Sequence, residues 1–170
     1  MLNHNVKELL NTQVNKEFYS AYLYLGFATW FEDMGLSGFA NWYTVQAQEE
    51  RDHAMLFLKY LQNNGCRPAM EAIERPCQEY ETPRNVLEAG MKHEQYVTSL
   101  IHTAYAAAFE EKDFRTMQFL DWFVKEQGEE EKNAEDLIKR WDLFGGDPKA
   151  LYMLDAELAA RVYTAPSLVL

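Results

Sequence analysis

A chain of 170 residues, 48% of them apolar, can bury one sizeable core without disulfides, and its 8 glycines and 5 prolines are too few for a disordered or collagen-like polymer. Sixteen basic residues against 27 acidic ones give a formal net charge of -11, which argues against a nucleic-acid partner held through phosphates and suits a protein that attracts cations. No apolar run approaches the ~20 residues that span a bilayer, and Met1 to Leu10 carries no signal-peptide core, so no membrane partner is expected and the expected compartment is cytoplasmic.

Glycine and proline fall in clusters separated by long stretches of helical period. The first stretch covers about Asn5 to Asp33 and stops near Gly35. The second starts near Ser37, an N-cap candidate, and ends at Asn63-Asn64-Gly65. The third opens at Thr82-Pro83, a cap followed by proline at the first helical position, and ends near Lys112. Asp113 caps the fourth, which ends at Gly145-Gly146. Asp147-Pro148 opens a shorter fifth helix, about 148–163, lost before Pro166. Nothing reads as strand.

Four helices of roughly 30 residues are each about 42 Å long. Two of their connections are very short and make antiparallel hairpins. The connection from Gly65 to Thr82 is different: it carries Pro68, Pro76 and both cysteines, and about 18 extended residues reach roughly 60 Å. That spans the bundle and predicts parallel second and third helices. The expected fold is all-α: a four-helix bundle over about 5–145 with one long crossover, plus the fifth helix, in a single domain covering 1–170. Cys66 and Cys77 make no disulfide framework and read as ordinary thiols.

Each long helix carries an inward stripe at alternating three- and four-residue steps. The first stripe runs Leu10, Val14, Glu17, Ala21, Tyr24, Ala28, Phe31; the second, Phe39, Tyr43, Gln46, Glu50, His53, Phe57, Tyr60. The third runs Leu87, Met91, Glu94, Thr98, Ile101, Tyr105, Ala108; the fourth, Thr116, Leu120, Phe123, Gln127, Glu130, Ala134, Leu137. Every stripe is interrupted by polar or ionisable groups. Glu17 stands 18 residues before Gly35, with Glu50 and His53 15 and 18 after it; Glu94 stands 18 before Lys112, with Gln127 and Glu130 15 and 18 after it. At a common rise these six side chains fall in one layer, within about a helical turn. The halves share a register as well: Glu17 and Glu94, Glu50 and Gln127, His53 and Glu130, and Glu49 and Glu126 are all 77 apart. Two similar hairpins about a pseudo-twofold axis would each supply half of a site.

One polar residue in an apolar seam is often only a register device. Four breaks in one layer need more, because buried carboxylates repel one another and lose their hydration. Protons or a multivalent cation can neutralise them. Carboxylates with one imidazole suit a hard to borderline metal such as iron, manganese or zinc.

The run Glu17-Phe18-Tyr19-Ser20-Ala21-Tyr22-Leu23-Tyr24, with Gln48-Glu49-Glu50-Arg51-Asp52-His53, His93-Glu94-Gln95 and Glu126-Gln127-Gly128-Glu129-Glu130-Glu131-Lys132, resembles the non-haem bacterial ferritins over essentially the whole chain. The resemblance implies iron storage with ferroxidase activity. Glu17, Glu50 and His53 would hold a first iron, with Glu50 bridging to a second completed by Glu94 and Glu130. Gln127 would be a weak or water-mediated ligand, and Tyr24 a neighbour able to supply an electron. Glu49, Glu126 and Glu129, sharing Glu130, would form a third iron site. Arg51 stands where bacterioferritins carry their haem-ligating methionine, and the fourth helix has Gln127 and Glu130 in place of a second Glu-x-x-His; no haem is expected. The substrates implied are Fe(II) with dioxygen or hydrogen peroxide, and the assembly a homo-oligomeric 24-subunit shell. The fifth-helix stripe Leu151, Leu154, Leu158, Val162 would line a four-fold axis, the alternative being packing on its own bundle. A rubrerythrin-like di-iron peroxidase without mineral storage is the rival reading, though no rubredoxin-type Cys-x-x-Cys is present.

Overall fold

The computed structural model describes residues 2–170. It comprises α1 (His4–Asp33), α2 (Ser37–Asn63), α3 (Pro83–Glu110), α4 (Phe114–Phe144) and α5 (Pro148–Leu158); no described residue lies in a strand. Gly35 and Gly65 close α1 and α2 at φ 73° and 71°, a backbone region that a Cβ disfavours. Lys112 meets the same need between α3 and α4 at φ 55°. Thr82, Asp113 and Asp147 cap α3, α4 and α5, their side chains accepting from the amides of Asn85, Thr116 and Ala150 and so satisfying otherwise orphaned donors.

The start of α2 departs from the sequence expectation. Leu36, not Ser37, occupies the cap position and makes no side-chain bond. The missing acceptor comes from α5, where Asp155 Oδ1 accepts from the Phe39 amide at 3.0 Å. This close approach requires glycine at position 38, because a Cβ there would lie 1.7 Å from the Asp155 carbonyl oxygen.

The inward stripes form two separate clusters. One joins Tyr24, Phe27 and Phe31 of α1 to Phe39 and Tyr43 of α2, Val86 and Leu87 of α3, Leu137 of α4, and Leu154 and Leu158 of α5. The other joins Val6, Leu10 and Val14 to Phe57, Tyr60 and Leu61, Val97 and Ile101, and Phe119 and Phe123. The first gathers the end of α1, the beginnings of α2 and α3, and the end of α4; the second gathers the opposite portions. The hairpin turns therefore sit at opposite ends, and α2 runs parallel to α3. Each fully buried aromatic or branched side chain contributes on the order of 2 kcal/mol.

The crossover is an irregular strap along α1. Two asparagines one turn apart hold its backbone: Asn11 donates to the Ala69 carbonyl at 3.3 Å and accepts its amide at 2.8 Å, and Asn15 donates to the Ala72 carbonyl at 3.1 Å. Both cysteines are free thiols.

The fifth helix stops at Leu158 rather than near 163. The Asn41 amide explains the stop: it donates to the carbonyls of Leu158, Ala159 and Arg161 at 3.3, 3.3 and 3.0 Å, engaging acceptors that further helical turns would use. Val162, expected in the apolar stripe, is consequently outside the helix and 76% exposed. Leu154 and Leu158 pack on this chain's own bundle, whereas Tyr152 and Met153 remain exposed. No described helix is long and apolar enough to cross a membrane.

Candidate metal centre

Between the two apolar clusters lies a polar slab. Gln13, Glu17 and Ser20 enter it from α1, Gln46, Glu50 and His53 from α2, Glu94 from α3, and Gln127 and Glu130 from α4; all are buried. Helical spacing does the positioning: Glu50 and His53 are one turn apart on one face, and His53 Nδ1 lies 3.3 Å from Glu50 Oε2. Glu17 joins them from α1, so one potential ligand atom from each of Glu17, Glu50 and His53 lies within 4.8 Å of the others. Among the described residues, this is the one such group of three or more His, Cys, Asp or Glu side chains.

The remaining acids are tied in by hydrogen bonds. Tyr24 donates its hydroxyl proton to Glu94 Oε1, and Gln127 donates to Glu94 Oε2 at 3.2 Å. Gln46 donates to Glu130 Oε2 at 2.7 Å and to Glu50 Oε1 at 3.1 Å, joining the two hairpins. Gln13 donates to Glu17 Oε1 at 2.8 Å. The other oxygen, Glu17 Oε2, is buried with no hydrogen-bond partner. Such an atom is costly to bury alone, and a cation among Glu17, Glu50 and His53 satisfies it. The donor set, hard oxygen with one imidazole, fits iron.

Burial and mutual repulsion set the charge of the slab. Burial, then the nearby Glu50 charge, pushes Glu17 and Glu94 up to about 8. Burial, then the charges of Glu94 and Glu50, holds Glu130 well above the usual carboxylate range. Burial also opposes ionisation of Glu50, but the hydrogen bond and charge of His53 prevail and lower it. For His53, burial is overcome by the Glu50 hydrogen bond and charge, which raise it to about 10. Glu50 and His53 thus favour one another's charged forms, while Glu17, Glu94 and Glu130 resist ionising together and hold their protons to higher pH. Each of those protons is one that an entering cation can displace.

The other expected set is more open and partly paired with cations, though Glu126 stands near enough to Glu49, and Glu129 to Glu126, for the neighbouring charge to add to burial in raising the Glu49 and Glu126 carboxyls. Glu49 is half-buried and bound by Arg161 at 2.5 Å. Glu129 lies near Lys125 at 3.5 Å, with its side chain largely exposed. Glu126 is half-buried, and burial raises its carboxyl. Gly128 faces open space, where a Cβ would meet no neighbour.

In the sequence Gln46 is legible only as a stripe residue and Gln13 not as a site residue at all; the signal both carry is a polar group one turn before a buried glutamate. Arg161 had no signal at all, because its role depends on where the tail folds. His93 also lacked a nameable partner; its Nε2 lies 2.7 Å from Ser20 Oγ. Tyr24 stacks on Tyr43 with ring centroids 5.6 Å apart, and Trp122 meets His53 edge-on at 5.4 Å.

Comparison with known proteins agrees with the fold. Residues 7–144 match the family model described as a ferritin-like domain. A probable bacterial non-heme ferritin-like protein of Haemophilus influenzae is 39% identical over 158 residues, covering 93% of this chain and 96% of that one. A bacterial non-heme ferritin of Staphylococcus saprophyticus is 37% identical, covering 96% and 98%. The open-pore ferritin of Archaeoglobus fulgidus superposes with a TM-score of 0.93 at 43% identity, covering 95% of this chain and all of that one.

Proposed function

The chain belongs to the ferritin-like family, and from that premise we propose that it stores iron, oxidising Fe(II) in the buried slab and depositing the ferric product inside a shell of its own copies. The observation that carries the reading is the Glu17, Glu50 and His53 cluster with its unpartnered Glu17 oxygen, sealed between two apolar clusters.

In this reading Glu17, Glu50 and His53 take one Fe(II), and Glu50, Glu94 and Glu130 take another. Two Fe(II) together give dioxygen two electrons and, with two protons, yield hydrogen peroxide and two Fe(III). The slab's raised carboxyls and imidazolium release protons as the cations enter, and the resulting carboxylates favour the higher iron charge. The second position is the weaker: Gln127 stands where the first hairpin has Glu50, so it supplies no negative charge. Ferric iron can therefore leave for a store rather than remain fixed. Where dioxygen is reduced beyond peroxide, Tyr24, bonded to Glu94, would supply one further electron and release its phenolic proton as it is oxidised to the tyrosyl radical, and Glu49, Glu126 and Glu129 would form a subsidiary iron site. Twenty-four copies make the shell, the cytoplasm is its compartment, and haem has no part in it.

Aerobic loading tests the proposal. A few hundred Fe(II) per assembled shell should give a soluble amber mineral. Saturation at about two irons per chain would instead favour a rubrerythrin-like oxidoreductase, and bulk precipitation would sink both.

A further inference from the structure

Residues 159–170 play no part in the chemistry proposed above, yet they are tied to its centre. After Leu158 the chain leaves helix and folds back along α2. Arg161 stacks over the Trp42 ring, 4.1 Å from its centroid, and donates to the Trp42 carbonyl at 3.2 Å. The same guanidinium donates to Gln46 Oε1 at 3.0 Å and to Glu49 Oε2 at 2.5 Å. Farther on, Tyr163 donates to Asp52, Trp122 donates to Ser167 Oγ at 3.0 Å, and Leu168 packs on the second apolar cluster.

Two consequences follow from donor chemistry. A guanidinium only donates, so it fixes the oxygen of Gln46 toward itself. The Gln46 amide nitrogen is thereby turned to Glu50 and Glu130, one acid from each hairpin. The second consequence concerns Glu49, adjacent to Glu50: its Oε2 is already held by a cation, and a metal ion that needs that oxygen competes with the guanidinium for it.

We infer that Arg161 is a latch on the iron centre, a positioning residue that orients Gln46 and holds the cation position at Glu49 until the tail is displaced. This rests on the slab being an iron site. Iron then reaches Glu49 in competition with the guanidinium, so passage beyond the paired site is set by how firmly residues 161–168 are held. The tail is built to yield. Beyond Arg161 its named anchors are single hydrogen bonds at exposed Tyr163 and Ser167 and one partly buried leucine, whereas α5 itself is pinned by buried Leu154 and Leu158.

The test is an anaerobic Co(II) titration of the assembled full-length protein, followed by visible absorption. The third Co(II) per chain should bind about tenfold more tightly in Arg161→Ala than in the unaltered chain. Arg161→Lys, which keeps a cation at Glu49, should reverse the gain, and Glu49→Gln in the Arg161→Ala background should abolish it. Tyr163→Phe with Leu168→Ser loosens the tail without touching Arg161; it should shift the third affinity in the same direction and serves if Arg161→Ala does not assemble. Two tight Co(II) with an unchanged third affinity, or a gain that survives Glu49→Gln, overturns the latch alone. An unaltered chain that takes up no Co(II) overturns the iron-centre reading and the latch with it.

Discussion

The two hairpins are alike in register and unlike in what they do for the centre. At positions 77 apart, Gln13 of the first hairpin corresponds to Gly90 of the second, Tyr24 to Ile101 and Gln46 to Phe123. The groups that steady the acids thus come mainly from one half. Gln13 holds Glu17 within the first hairpin, while Tyr24 and Gln46 reach across to Glu94 and Glu130 of the second. Within its own half, Glu94 receives only Gln127. The first half-site is assembled by its own helices, and the second is assembled by its neighbour.

That inequality should show most strongly in oxidation rate. Glu50→Ala or His53→Ala should lower the first-turnover rate of Fe(II) oxidation by about 100-fold or more, with helical circular dichroism retained, whereas Gln127→Ala should cost only about tenfold, in line with loss of an outer partner. Equal losses in stopped-flow traces would erase the distinction between the halves. Gln127→Glu sharpens it from the other side: by restoring a charge, it should tighten the second metal about tenfold in an anaerobic titration and slow mineral growth.

The protonation pattern gives a pH test. Glu17 and Glu94 rise from 4.5 to about 8 and His53 from 6.5 to about 10 on folding. A group raised on folding stabilises fully below its unfolded value and loses that contribution as pH climbs through the folded one. The metal-free chain should therefore melt at lower temperature as pH rises from about 5 to about 9. Divalent cation should flatten the slope, because it replaces the protons. A metal-free melting temperature that climbs over that range would contradict the charge assignment.

The smallest effects lie at the ends of the bundle. Gly38→Ala should destabilise by about 1–3 kcal/mol by forcing α5 off α2, and Asp155→Ala by about 1 kcal/mol through loss of the borrowed cap. Lys112→Gly should stabilise by about 0.5–1 kcal/mol, relieving a positive φ. Chemical denaturation of the three variants measures all of these.

These cases also show what could be read from sequence. Thr82, Asp113 and Asp147 were legible as caps because the bonds they make are local, three residues away. The polar slab was legible because acids interrupt an otherwise apolar period at positions related by one spacing. Ser37 misled because the acceptor for α2 comes from Asp155, distant in sequence. The end of α5 misled because Asn41, another distant residue, engages its carbonyls. Arg161 escaped notice for the same reason: nothing in its neighbours indicates Gln46 or Glu49. Local chemistry announces itself in order along the chain, and contacts made by folding back do not.

The strap between α2 and α3 gives the molecule a natural seam. It is mostly exposed and is pinned to α1 through Asn11 and Asn15. A protease cut between Glu71 and Pro76 would divide the polypeptide into two fragments, each an antiparallel pair carrying half of the acids. Neither fragment alone could close a metal pair, so reconstitution from separately made pieces would report, through recovered metal uptake, the moment the two halves meet.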